Sequence, residues 1–235
     1  MIHIQMLDTT MVESKFTLEE QMMARAIRNA TKARPRCMPN PWVGAVLVSS
    51  DGQTFDGFTQ EFGSGHAETV CLDEAGRKAQ GATLYVTLEP CSHSGKTGPC
   101  VERIIESRIS RVVIGMKDPD RQVCGEGIKS LQNAGVDVVV GVLEDLVAEQ
   151  LAPYVHHRNT GRPYVILKIA TTLDGKVAAP DGSSQWITGA QARREGHKLR
   201  AYSDAICVGR GTVISDNPQL TVRDWSADDL SLIHI

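Results

Sequence analysis

Three side chains with the donor chemistry of a metal site set the strictest demand on how this chain folds. They stand in His66-Ala67-Glu68, in Glu89-Pro90-Cys91 and in Pro99-Cys100. One imidazole and two thiols are donors that zinc takes at about 2.0–2.3 Å, so a fold that uses them must bring three separate segments onto one ion. Three protein ligands leave the fourth tetrahedral position open, the mark of a reactive site rather than a structural one. Glu68, two residues past the imidazole, is the carboxylate that a water in that position would need. Pro99 suits a first helical position, which places Cys100 in a first turn, where the helix dipole favours a thiolate. Positions two apart in an ideal helix point about 200° away from each other. Glu68 can therefore face the metal only if His66 stands at the helix start and reaches back.

A closed structural zinc site would need a fourth ligand. His93 is the obvious candidate, but it lies two residues from Cys91, a tight spacing for one tetrahedron. The eight residues between Cys91 and Cys100 also exclude the C-x-x-C spacing of thiol oxidoreductases. Cys37, Cys71, Cys124 and Cys207 read as buried small hydrophobes. Six cysteines in 235 residues, with neither a basic n-region nor an apolar h-region at the start, predict reduced thiols in the cytoplasm and no disulfide framework. A net charge of −3 argues against a nucleic-acid partner. The basic run Arg193, Arg194, His197, Lys198 and Arg200 is spaced like one helix face. No apolar run approaches the roughly 18 residues that would span a membrane.

Residues 1–16 read as a poorly ordered extension. Thr17-Leu18-Glu19-Glu20 is a capping box opening a helix with Met22, Met23, Ala26, Ile27 and Ala30 on one face. Pro35, Pro39 and Pro41 enforce a loop. A strand over 43–48, the Asp51-Gly52 turn and a return over 54–58 form a hairpin. Helices and strands then alternate: helix 66–79, strand 82–88, a helix to 108, strand 111–116, helix 128–134, strand 136–140 and helix 143–157. That series predicts a three-layer α/β domain over 17–158 with a largely parallel second half. Asn159-Thr160-Gly161-Arg162-Pro163 marks a boundary to a second domain, 159–235. There the pattern predicts strand 164–170, a helix capped by Thr188 and running to about 202, strand 205–208 and a loop at 209–211. About 75 residues are too few to close a typical α/β core. The apolar strands left exposed predict a homo-oligomer.

The H-x-E…P-C…C order resembles the zinc-deaminase signature, in which the Glu carries protons and is not a ligand. Most such sequences separate the cysteines by two residues. The eight-residue gap here, in Thr87-Leu88-Glu89-Pro90-Cys91-Ser92-His93-Ser94-Gly95-Lys96-Thr97-Gly98-Pro99-Cys100, resembles the bifunctional riboflavin-biosynthesis deaminase–reductase family. Pro39-Asn40-Pro41-Trp42-Val43-Gly44 and Gly115-Met116-Lys117-Asp118-Pro119 match further motifs of its deaminase half. Lys168 to Lys176, Ser184-Gln185-Trp186-Ile187-Thr188 and the stretch from Val208 to Arg223 match its reductase half.

The resemblance implies a cytidine-deaminase-like α/β/α domain with a mixed sheet, followed by the start of a dihydrofolate-reductase-like α/β domain. It implies zinc on His66, Cys91 and Cys100 and proton transfer by Glu68. Asn40, His93, Lys96 and Asp118 would hold a phosphorylated pyrimidine substrate whose 2-amino group is removed. Ala170, Trp186, Thr212 and Asp216 align with NADPH-contacting positions. Lys168, Ser184, Arg200, Leu220 and Arg223 align with the reductase substrate side. Thr59 stands where the family usually has a substrate-contacting histidine. Gly65 and Ser94 replace a common proline and histidine. Asp120 replaces a usual asparagine near the ribosyl phosphate, where a carboxylate would repel phosphate. The family's later glycine-rich cofactor loop has no counterpart in this sequence, so reduction is not expected of the chain as given. A nucleoside or nucleobase deaminase of other substrate, and a non-catalytic zinc module, are the alternatives.

Overall fold

The computed structural model describes residues 16–93 and 95–223. The expected extension over 1–16 therefore lies, but for Phe16, outside the described residues. The chain forms two compact units, Met1–Tyr164 and Val165–Ile235.

The first unit opens with α1, Leu18–Ala33. Thr17 Oγ1 accepts from the Glu20 N–H at 3.3 Å and the Glu20 carboxylate accepts from the Thr17 N–H at 2.7 Å, the reciprocal capping box read from the sequence. Strands β1, Gly44–Val48, and β2, Thr54–Phe58, form the hairpin, with Gly52 at φ 82° in the left-handed turn that glycine tolerates. After them come α2, Ala67–Ala75, with a short 3-10 turn Gly76–Ala79, then β3, Thr83–Leu88, and α3, Cys100–Glu106. Strand β4, Arg111–Met116, α4, Glu126–Asn133, and β5, Asp137–Val140, complete the alternation. The sheet order is β2-β1-β3-β4-β5, antiparallel among the first three and parallel among the last three.

The strands are apolar on both faces because both are covered. Val46, Tyr85 and Val113 pack with Met23 and Ala26 of α1. Their alternate neighbours Ala45, Leu47, Leu84, Val86, Val112 and Ile114 belong to a cluster holding Ala67 and Cys71 of α2, Ile104 of α3 and Leu131 of α4. Gly44 allows the closest approach: a Cβ there would collide with the backbone of Ala26 and Ala30 in α1. Asn29 of α1 donates to Ala45 O at 3.2 Å and to Asp56 Oδ1 at 2.6 Å, fixing the helix on the hairpin.

Five expectations are corrected. Cys37 and Cys71 are buried as expected, but Cys124 and Cys207 are exposed. The helix over 143–157 is two helices, α5, Glu144–Gln150, and α6, Ala152–Thr160, because Pro153 has no N–H to continue the first ladder. Segments 164–170 and 205–208 are not strands, since no described segment pairs with either. Helix α7, Ala190–Ala201, is capped by Gly189 rather than Thr188, whose carbonyl accepts from Arg193 Nη1 at 2.6 Å instead. Residues 210–216 form helix α8, Arg210–Asp216, not a loop, closed by Asn217 at φ 39°. Among the described residues, no helix is long and apolar enough to cross a membrane.

Candidate metal centre

His66 is the N-cap of α2, with extended backbone at φ −76° and ψ 164°, so its ring turns back from the helix start while Glu68 occupies the first turn. Cys91 follows the end of β3. Cys100 is the first residue of α3, with Pro99 one step earlier than expected, as its N-cap. His66 Nδ1 lies 3.2 Å from Cys100 Sγ and 3.6 Å from Cys91 Sγ. The three donor atoms lie within 4.8 Å of one another, and among the described residues no further ligand joins the group, His93 included.

A tetrahedral zinc at ordinary bond lengths sets its nitrogen and sulfur ligands about 3.6 Å apart. The observed spacings are of that size, so the donor set fits zinc with one position open. The charges suit it as well. A hydrogen bond from Cys100, with further help from His66 and the Cys100 N–H, lowers the Cys91 thiol to about 4 against the effect of burial. The contact with Cys91, together with burial, pushes the Cys100 thiol up. Burial raises the Glu68 carboxyl above its usual range, and the nearby His66 opposes this. Glu68 is 4% exposed and reaches Cys100, so its carboxyl lies beside the donors despite the two-residue offset.

Two cavities open at this centre and share Asn40, His66 and His93. One, of about 290 Å³, also takes in Glu68, Asp118, Asp120 and Arg158. The other, of about 280 Å³, is closed by Phe62 and Lys96, whose Nζ stands 4.0 Å from the Phe62 ring centroid. All four residues assigned to the first substrate thus line one cavity or the other. Asp118 is buried, its carboxyl raised by desolvation even as it accepts from Tyr154 Oη at 3.0 Å and the Asp120 N–H at 2.8 Å. Thr59 spends its hydroxyl on Val43, whose N–H donates to it at 3.0 Å.

A family model described as the cytidine and deoxycytidylate deaminase zinc-binding region matches residues 17–116, and one for the RibD C-terminal domain matches 163–230. The riboflavin biosynthesis protein RibD of Escherichia coli is 46% identical over 211 residues, 90% of this chain and 57% of the relative. The chain belongs to the RibD family. Acinetobacter baumannii RibD superposes with a TM-score of 0.81 at 42% identity, over 92% of this chain and 59% of that one. A Thermotoga maritima structure described as a diaminohydroxyphosphoribosylaminopyrimidine deaminase/5-amino-6-(5-phosphoribosylamino)uracil reductase gives 0.82 at 45% identity, over 88% and 59%. The chain thus spans less than two thirds of the RibD relatives it matches.

The second unit, where the RibD C-terminal model matches, assembles less. Arg200 Nη1 donates to Thr221 O at 3.0 Å, and the Arg223 N–H donates to His197 Nδ1 at 3.0 Å. Burial, and then the neighbouring Arg223, lower the Arg200 guanidinium. Trp186 is 70% exposed beneath the Arg193 guanidinium, 4.3 Å away. Ala170, Trp186, Thr212 and Asp216 share no hydrogen bond or ring contact among the described residues. None of these, nor Lys168, Ser184 or Leu220, lines either cavity. These two cavities therefore bring together none of the residues that align with the cofactor or with the reductase substrate.

Sequence reasoning missed Phe62, Tyr154 and Arg158 and assigned no role to Glu89. Tyr154 and Arg158 are four apart on α6, so they share a helix face. Nothing local states that the face meets a cavity built by β3 and β4.

Proposed function

We propose that the chain is a zinc aminohydrolase acting on 2,5-diamino-6-(5-phosphoribosylamino)pyrimidin-4-one, releasing ammonia and 5-amino-6-(5-phosphoribosylamino)uracil, a step of riboflavin biosynthesis. The observation that carries this is the donor triangle of His66, Cys91 and Cys100 with the buried Glu68 carboxyl in the same cavity. The substrate is carried over from the activity by which the Thermotoga maritima relative is described.

His66 Nδ1 and the sulfurs of Cys91 and Cys100 would hold the metal. Zinc so held supplies Lewis acidity, lowering the pKa of a water to about 7. Glu68 passes the first proton of the attacking water to the ring nitrogen, then takes the second from the hydroxyl left on the carbon and passes it to the departing amine. The C–N bond breaks as the new C=O forms. A carboxyl raised by burial suits both halves of that transfer, because it takes a proton more readily than an exposed carboxylate and can still give it back. Asn40, His93, Lys96 and Asp118 bind and orient the ring and its ribosyl phosphate. The thiolate ligands call for a reducing compartment, the cytoplasm. The exposed Val165, Leu167, Ile169 and Leu173 support self-association of the chain. Reduction by NADPH is proposed only for the longer relatives' second half.

Ammonia release from this substrate and from cytidine, with zinc-loaded protein, tests the reading. Release is expected from the ribosyl phosphate; release from cytidine alone would show the substrate to be wrong. Glu68→Gln is expected to lose roughly 10²–10⁴-fold in turnover, the usual weight of a general acid–base group, while zinc content stays the same. Turnover surviving in E68Q would remove Glu68 from the proton path.

A further inference from the structure

A lone carboxylate at Asp120 would repel an anionic substrate, but it does not stand alone. Asp120 Oδ2 faces Arg158 Nε at 3.3 Å, and both residues line the cavity that holds His66 and Glu68. Asp120 comes from the loop after β4 and Arg158 from α6, so the pair closes the wall from two elements. Among the described residues lining this cavity, Arg158 is the only lysine or arginine, set against the carboxylates of Glu68, Glu89, Asp118 and Asp120. Lys96 belongs to the neighbouring cavity and rests on Phe62.

We propose that Arg158, aligned by Asp120, recognises the phosphate of the substrate and so determines specificity for a phosphorylated over an unphosphorylated pyrimidine riboside. This rests on the deaminase reading. The guanidinium is held from two sides, by Asp120 and by the Tyr154 ring. Asp120 is itself fixed, its Oδ1 accepting the Gln122 N–H at 3.0 Å and its own N–H bonded to Asp118. The Tyr154 ring lies 5.2 Å from the guanidinium carbon, within cation–π range, and the Tyr154 hydroxyl is tied to Asp118. The ion pair meets through Nε at a distance looser than the 2.7–2.9 Å of a charge-assisted fork. With Arg158 39% and Asp120 21% exposed, such a pair is held weakly. A guanidinium carries five N–H donors, so one can face Asp120 while others meet a phosphate dianion. The planar fork matches phosphate oxygens in a way a lysine does not. Asp120 then orients the cation without consuming it.

Steady-state deamination by the zinc-loaded full chain, on the pyrimidine ribosyl phosphate and on its dephosphorylated riboside, tests this. Wild type is expected to favour the phosphorylated substrate. Arg158→Ala should raise its KM roughly 10- to 100-fold, the weight of a lost charge-assisted hydrogen bond, with the effect on KM rather than kcat. R158K, which keeps the charge but not the fork, should fall between. Adding D120N to R158A should lower KM again, because the carboxylate left unpaired repels the phosphate. One zinc per chain in each variant shows that the centre has assembled. An unchanged KM for the phosphorylated substrate in R158A, or an equal rise for the riboside, would overturn the proposal while leaving the deaminase reading intact. Ammonia from neither substrate with wild type would overturn that reading, and this one with it.

Discussion

Glu89 stands two residues before Cys91, yet it is neither a ligand nor a proton carrier. Its carboxylate, 4% exposed, accepts the N–H groups of Gly125 at 2.9 Å, Asp118 at 3.2 Å and Ile128 at 3.2 Å. A single acid thus fastens the loop bearing Asp118 and Asp120 to the strand that delivers Cys91. Gly127 is pressed against this join, where a Cβ would collide with the Pro90 carbonyl. Glu89→Ala leaves those amides without their acceptor and is expected to cost about 2–4 kcal/mol in urea unfolding. Glu89→Gln keeps one acceptor oxygen and should recover part of that loss. Equal stability of E89A and wild type would mean that the amides find other partners.

Helix α1 is bound to the hairpin by charge as well as by packing. Arg25 grips Asp56 with Nε at 2.8 Å and Nη2 at 2.6 Å, and Asn29 adds its bond to the same carboxylate. Burial pushes the Asp56 carboxyl up, but the hydrogen bonds from Arg25 and Asn29 outweigh it and hold the carboxyl below its usual range. A depressed carboxyl adds stability above its unfolded pKa, near 4, and loses it as pH falls through the folded value. Asp56→Asn is therefore expected to lose about 0.5–1 kcal/mol at pH 7, a figure discounted for exposure. The gap between D56N and wild type should narrow progressively as pH falls below the unfolded value, about 4, in urea titrations. A gap constant across that range would show that the charge on Asp56 contributes nothing.

Across the whole molecule, burial is unequal. The buried apolar residues run from Met23 to Leu151 in the first unit, whereas Ala201 is the one such residue described in the second. There Val165, Leu167, Leu173 and Trp186 are at least 70% exposed. Removing residues 165–235 is expected to lower ANS fluorescence and self-association while ammonia release from the first unit persists. Loss of ammonia release from a folded, zinc-bearing 1–164 chain would show that the second unit contributes to the reaction.

The first unit was legible at the level of elements because its signals are local. The Thr17–Glu20 box, the Asp51-Gly52 turn and the apolar runs at 44–48, 83–88 and 111–116 each act within a few residues. Segments 164–170 and 205–208 carry the same apolar signal, but a strand exists only with a partner, and partnering is not local. The same limit governs the site. Residue types and order determined the donor chemistry of His66, Cys91 and Cys100, because zinc chemistry depends on which atoms are offered. Only the tertiary structure decided which acids are spent and which remain. It placed Glu89 on backbone amides, Glu68 beside the donors and Arg158 on Asp120. A carboxylate's role depends on what it meets across space, and neither composition nor periodicity encodes that meeting.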